Sequence, residues 1–193
     1  MRTIPIPMLR TKSQSMRLTT TIAILCATAS ANAATQCETL YDEHLKTDLH
    51  LSYREFDQTE GKGFRVLAGR GCASEAGDLI ERYVATTGAK ENSLLWHLAQ
   101  MRAEHHNYPE AIRYARQVIT RSEDFEKEPL RWNDYVLAVI AFLERDKAQL
   151  IEHRDKIASA KPSFFGNELN LKLVDSLVRN FDKDYLYAVS HIE

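Results

Sequence analysis

Apolar residues recur every three to five positions along most of the chain, and no run alternates with period two between turn residues. This predicts a helical protein without strands. Leu40, Leu45, Leu49 and Tyr53 mark an amphipathic helix over 36–54. Asp57-Gln58-Thr59-Glu60-Gly61-Lys62-Gly63 breaks the pattern, its two glycines accepting turn conformations that other residues avoid. A short helix follows over 64–68 and ends at Gly69-Arg70-Gly71.

Ala76, Leu79, Ile80, Tyr83 and Val84 stand at i, i+3, i+4, i+7 and i+8 and predict a helix over 74–86, with Gly88 as its C-terminal cap. Asn92 or Ser93 can cap the next helix, which runs to about residue 104, and its partner starts near Pro109. Further helices are expected over 130–143, 146–158 (capped by Asp146), 167–181 and 184–191. The short connections make antiparallel hairpins of neighbouring helices.

The N-terminal stretch differs in kind. Met16-Arg17, an apolar run over 18–29 and Ser30-Ala31-Asn32-Ala33-Ala34 give a basic start, a short hydrophobic segment and a small-residue cleavage site. The run is shorter than the roughly 20 apolar residues a bilayer span needs. Residues 1–33 are therefore expected to be a secretory signal with an N-terminal extension, cleaved after Ala33, and 34–193 a helical-repeat domain in the periplasm or outside the cell. Translation from Met1 or from Met16 leaves the same mature domain. Ala23-Ile24-Leu25 before Cys26 has large residues where lipid attachment wants small ones.

Cleavage removes Arg2, Arg10, Lys12 and Arg17 from 25 basic residues, leaving 21 against 27 acidic ones, a formal −6. Such a domain lacks the electrostatic footprint of a nucleic-acid binder, and no membrane insertion is expected after cleavage. Cys37 and Cys72 remain, an even number for an oxidising compartment. A Cys37–Cys72 disulfide would tie the first helix to the third; the alternative is two buried thiols. No Cys-x-x-Cys pair supports a zinc or haem site.

The hairpins carry a period. Leu95-x-x-Leu98-Ala99 leads to Ala111, thirteen after Leu98, and Trp132-x-x-Tyr135-Val136 leads to Ala148, thirteen after Tyr135. Ala76, Ala111 and Ala148 are 35 and 37 apart. Over 64–158 the chain resembles the tetratricopeptide-repeat family, with Arg102, Ala115 and Glu152 where that family has aromatics. The resemblance implies an all-α fold of antiparallel helical hairpins stacked as a short tetratricopeptide-like solenoid. Glu55-Phe56-Asp57-Gln58-Thr59, Gly61-Lys62-Gly63-Phe64-Arg65, Trp132-Asn133-Asp134-Tyr135 and Asn180-Phe181-Asp182-Lys183 also resemble segments of a group of uncharacterised bacterial secreted helical-repeat proteins, which bring no activity with them.

Candidate chemistry is sparse. His97 and Glu104 are seven apart on a helix, hence on one face but roughly 10 Å apart along the axis, too far for one ion. His105 and His106 are adjacent and diverge, and the His-Glu-x-x-His zinc spacing is absent, so no metal or other cofactor is expected. No Gly-x-Ser-x-Gly motif occurs. The family resemblance implies a groove lined by Trp96, Gln100, Asn133 and Leu137, with Trp96 either an exposed anchor for a peptide or tucked between helices. Arg65 is a further charged contact or the cap of a neighbouring helix. The expected function is thus non-catalytic binding of a peptide or protein partner. An enzyme or metal-dependent hydrolase of unrecognised type, and an immunity or inhibitor protein against a delivered toxin, are the alternatives.

Overall fold

The computed structural model describes residues 34–192, and the expected signal segment lies outside them. Among the described residues every regular element is helical. In chain order they are α1 over 34–47, a 3-10 turn Asp48–His50, α2 Tyr53–Gln58, α3 Phe64–Gly69, α4 Ala73–Thr87, α5 Asn92–Glu104, α6 Tyr108–Gln117, α7 Trp132–Leu143, α8 Lys147–Ala160, a second 3-10 turn Lys161–Ser163, α9 Phe165–Arg179 and α10 Tyr185–Ser190. Each of α3 to α6 packs on the next, α7 on α8 and α8 on α9, while α7 also meets α9.

The single helix expected over 36–54 is two helices. The Leu51 carbonyl accepts a hydrogen bond from the Tyr83 hydroxyl at 2.9 Å instead of an amide of its own helix. Ser52 then starts α2 with a capping box, its Oγ accepting from the Glu55 amide while the Glu55 carboxylate accepts from the Ser52 amide. The periodicity of Leu40, Leu45, Leu49 and Tyr53 runs through this break because the same core lies beneath both helices.

Other ends fall near the expected places. Gly88 closes α4 in the left-handed conformation at φ 70°. Pro109 sits in the first turn of α6, Asn107 caps that helix, and Asp146 caps α8 through the Gln149 amide at 3.0 Å. Helix α5 departs from expectation, because Asn92 lies inside it and Ser93 spends its hydroxyl on Tyr53 Oη at 2.7 Å. The ninth helix starts at Phe165, ahead of Asn167. Buried Asn167 holds the preceding loops instead, accepting from the Arg131 amide at 2.8 Å and donating to the Pro129 carbonyl at 2.9 Å.

Two apolar cores share α5. Phe56, Phe64, Leu67, Leu79, Ile80 and Tyr83 form the first with Leu94, Leu98 and Met101. Trp96, Ala99 and Ala103 face the second, with Tyr135, Phe142 and Tyr185. Burial on both sides leaves α5 one polar stripe, His97, Gln100 and Glu104. Ala76 and Ala111 are fully buried where helices approach closely. Ala148 is exposed, and Leu150, two residues on, fills the α7–α8 contact, so the alanine period does not extend to the last of its three positions.

Cys37 and Cys72 are joined, with S–S 2.12 Å, and tie α1 to the start of α4. Cys37, Cys72 and Glu75 lie within 4.8 Å of one another, but the two sulfurs hold each other and offer no thiolate to an ion. No described helix is long and apolar enough to cross a membrane.

Candidate functional site

The polar stripe of α5 forms one wall of an open cleft of about 710 Å³, and the turn from α2 into α3 forms the other. A hollow of about 790 Å³ beside the disulfide is slightly larger. It lies between α1 and the Arg70–Cys72 turn and brings together fewer polar groups with unspent hydrogen bonds, so the α3–α5 cleft is the better candidate.

Its geometry begins at Gly63, the residue before α3. Gly63 has φ 56° and ψ −147°, a conformation open essentially to glycine alone, and a Cβ there would stand 2.1 Å from the Phe56 carbonyl oxygen. This close approach folds α3 back on α2 and brings Arg65 over Asp57. The Arg65 Nε donates to the Asp57 carbonyl oxygen, and the guanidinium lies 5.1 Å from the Phe64 ring centroid. The fully buried Asp57 carboxylate meets His97 Nδ1 at 2.6 Å and accepts a further hydrogen bond from Gln58 Nε2. His97 is also packed on Phe64, 5.3 Å between ring centroids.

One buried residue thus holds two cleft residues, Arg65 through its backbone and His97 through its side chain. Each is held by a single nitrogen. Among the described residues the terminal nitrogens of Arg65 and Nε2 of His97 make no hydrogen bond, so these are what the cleft presents. Burial pushes the Asp57 carboxyl up, but the hydrogen bonds from His97 and Gln58 and the nearby positive charges outweigh it and leave the group below the usual carboxylate value. Two turns along α5, Glu104 lines the same cleft without a hydrogen bond or ion pair among the described residues, and burial raises its pKa.

The four residues expected to line a groove separate. Gln100 lines the cleft and shares a side-chain hydrogen bond with the buried Tyr185 of α10, which packs on α5. Trp96 is 5 % exposed, with Tyr135 at 5.2 Å and Trp132 at 5.6 Å between ring centroids, so it is tucked between helices and is not an exposed anchor. The cause is that α5 buries two faces, and Trp96 falls on the second. Asn133 exchanges hydrogen bonds with Thr120, donating to its carbonyl and accepting from its amide, both at 2.9 Å, and so pins the connection from α6 to α7. Leu137 packs on the second core. Arg65 lines the cleft and also caps the end of α2 through the Asp57 carbonyl, whereas Asp57, the residue that organises the site, stood in the sequence as one polar member of a turn.

Compared with protein-family models, with curated proteins and with solved structures, the chain matches none.

Chemically, the arrangement combines a fixed guanidinium, an imidazole backed by a buried carboxylate, a side-chain amide and an unpaired carboxyl. Phe64 and Met101 add apolar surface between them. Such a mix of apolar wall and a few unspent polar groups is what ligand clefts share, and about 710 Å³ lies within their usual range of about 300–1,000 Å³.

Proposed function

We propose that this is a non-catalytic, periplasmic or secreted helical-repeat protein, its hairpins stacked as a short tetratricopeptide-like solenoid, which binds a peptide or protein partner in the α3–α5 cleft. The observation that carries the reading is the set of hydrogen-bonding groups left unspent in one open cleft by Arg65, His97 and Glu104, with the Gln100 amide between them. An extended chain has an amide and a carbonyl at nearly every residue to meet them. The disulfide suits an oxidising compartment.

The His97–Asp57 pair favours a second reading, a hydrolase using His97 as general base, since a carboxylate behind an imidazole orients the ring and stabilises its protonated form. None of the residues lining the cleft is a serine, threonine or cysteine, so that chemistry would have to activate a water molecule. The pair also has a sufficient structural role, because a fully buried carboxylate needs a hydrogen-bonded partner.

The test is partner capture from periplasmic extract, with mass spectrometry, by the wild-type domain and an Arg65→Ala, Gln100→Ala variant of equal thermal stability. Partners held by the wild type and lost from the variant are expected. Recovery of the same partners at the same yield by both proteins would count against the cleft. Turnover of a model ester or amide that is abolished by His97→Gln would favour the second reading.

A further inference from the structure

The charges in the cleft are not those of a simple anion or cation site. At one end Arg65 and His97, both held by Asp57, offer unspent nitrogens. At the other, Glu104 offers an unpaired carboxyl. Glu60, on the α2–α3 turn, adds an exposed one to the lining. His97 and Glu104 are seven residues apart on one helix face, about 10 Å along the axis at 1.5 Å per residue. An extended peptide advances about 3.3–3.6 Å per residue, so three residues cover the same distance.

Resting on the peptide-binding reading, we propose that the cleft takes a short extended peptide of about three residues with both ends free, its terminal carboxylate against Arg65 and His97 and its terminal ammonium against Glu104. The planar guanidinium, already fixed through Nε, presents its remaining N–H groups to a carboxylate at little further cost in side-chain entropy. The His97 Nε2 adds a donor when the ring is protonated, Asp57 accepting from Nδ1 behind it. Gln100, between the two charged ends on the same stripe, is hydrogen-bonded to Tyr185 and keeps the rest of its amide for a peptide unit. Two carboxylates disfavour an anion without a positive group, and Arg65 disfavours a cation without a negative one. A zwitterion of the right length satisfies both.

The probes are three tripeptide mixtures built from Gly, Ala, Val and Leu, one with free ends, one amidated at the C-terminus and one acetylated at the N-terminus. Retention on the protein is read by size exclusion and mass spectrometry, and the Kd of retained peptides by calorimetry. Free-ended tripeptides are expected to bind, with at least a tenfold loss on amidation and on acetylation. Arg65→Gln should remove the discrimination against the amide. Glu104→Gln, which disturbs no hydrogen bond of the fold, should remove the discrimination against the acetylated form. Equal binding of all three mixtures overturns the end recognition while leaving peptide binding in place. No retention of any mixture at millimolar concentration overturns the inference itself, and partner capture then decides the wider reading separately.

Discussion

Gly63→Ala is the sharpest single perturbation of the site, because Gly63 sets the path by which α3 returns to α2. An alanine at φ 56°, ψ −147° lies in a region that costs non-glycine residues about 1–3 kcal/mol. Its Cβ would stand 2.1 Å from the Phe56 carbonyl oxygen, so the two backbone segments must part by about 0.9 Å to reach the 3.0 Å that real Cβ atoms respect. Phe56 has little room to yield, being fully buried and stacked on Tyr83 at 3.8 Å between centroids. Overpacking of this kind costs about 1–3 kcal/mol more, which brings the total to about 4 kcal/mol. For a domain of this size, at 2–4 °C per kcal/mol, the melting temperature should fall by about 12 °C.

Gly61→Ala is the matched control. Gly61 also has positive φ, at 73°, but a Cβ there would meet nothing within 4 Å. It should cost only the backbone preference, about 1–2 kcal/mol. Thermal and urea unfolding followed by far-ultraviolet circular dichroism measures both variants. Equal unfolding midpoints for the two would refute the argument that the Gly63–Phe56 approach builds the α2–α3 turn.

Four further outcomes are expected. Trp96→Ala should lose about 3–5 kcal/mol in urea unfolding, the cost of a large buried side chain, whereas an exposed anchor would lose almost nothing. Replacing both Cys37 and Cys72 by serine should lower stability by about 3–4 kcal/mol, the chain-entropy value for a separation of 35 residues, and treatment of the wild type with a reductant should reproduce the loss. Asp57 has a folded pKa below its usual 3.8, so it stabilises the protein above that pH and loses the contribution as pH falls through the folded value. Asp57→Asn should therefore be less stable than wild type by about 3 kcal/mol at pH 7, with the gap closing in unfolding curves taken below pH 3.8. Glu104 has the opposite sign: burial raises its pKa above 4.5, so stability is lost as pH rises through the folded value. Glu104→Gln should be the more stable protein at pH 7, by about 1 kcal/mol at most given its partial exposure, and equal to wild type at pH 4.

Glu104 illustrates why the site was only partly legible in the sequence. His97 and Glu104 share a helix face by spacing alone, and seven residues set their separation. What spacing could not supply was the opposite wall, because Asp57 and Arg65 lie 40 and 32 positions before His97 and are brought onto one another by the Gly63 turn. A glycine pair around Lys62 signalled a turn. The direction in which that turn sends the chain depends on ψ and on the carbonyl of Phe56, neither of which leaves a mark in local composition.

Trp96 shows the same limit from the other side. A repeat pattern places it one position after the leading large residue, on what should be the inner face of a hairpin. Whether that face is open depends on what packs there, and Trp132 and Tyr135 cover it, while α10 returns to cover α5 beside Gln100.

The order of polar and apolar residues by itself determined that the described chain is helical and where most helices begin and end, because helix periodicity, caps and glycine stops act over a few residues. An even pair of cysteines likewise pointed to a single disulfide. Only the tertiary structure decided which faces of α5 are buried, that Leu51 gives its carbonyl to Tyr83 and so splits the first helix, and that Asp57 gathers Arg65 and His97 into one cleft. Those outcomes turn on contacts between residues some 8 to 40 positions apart, where close packing and the pairing of buried polar groups select among arrangements that local preference leaves equal.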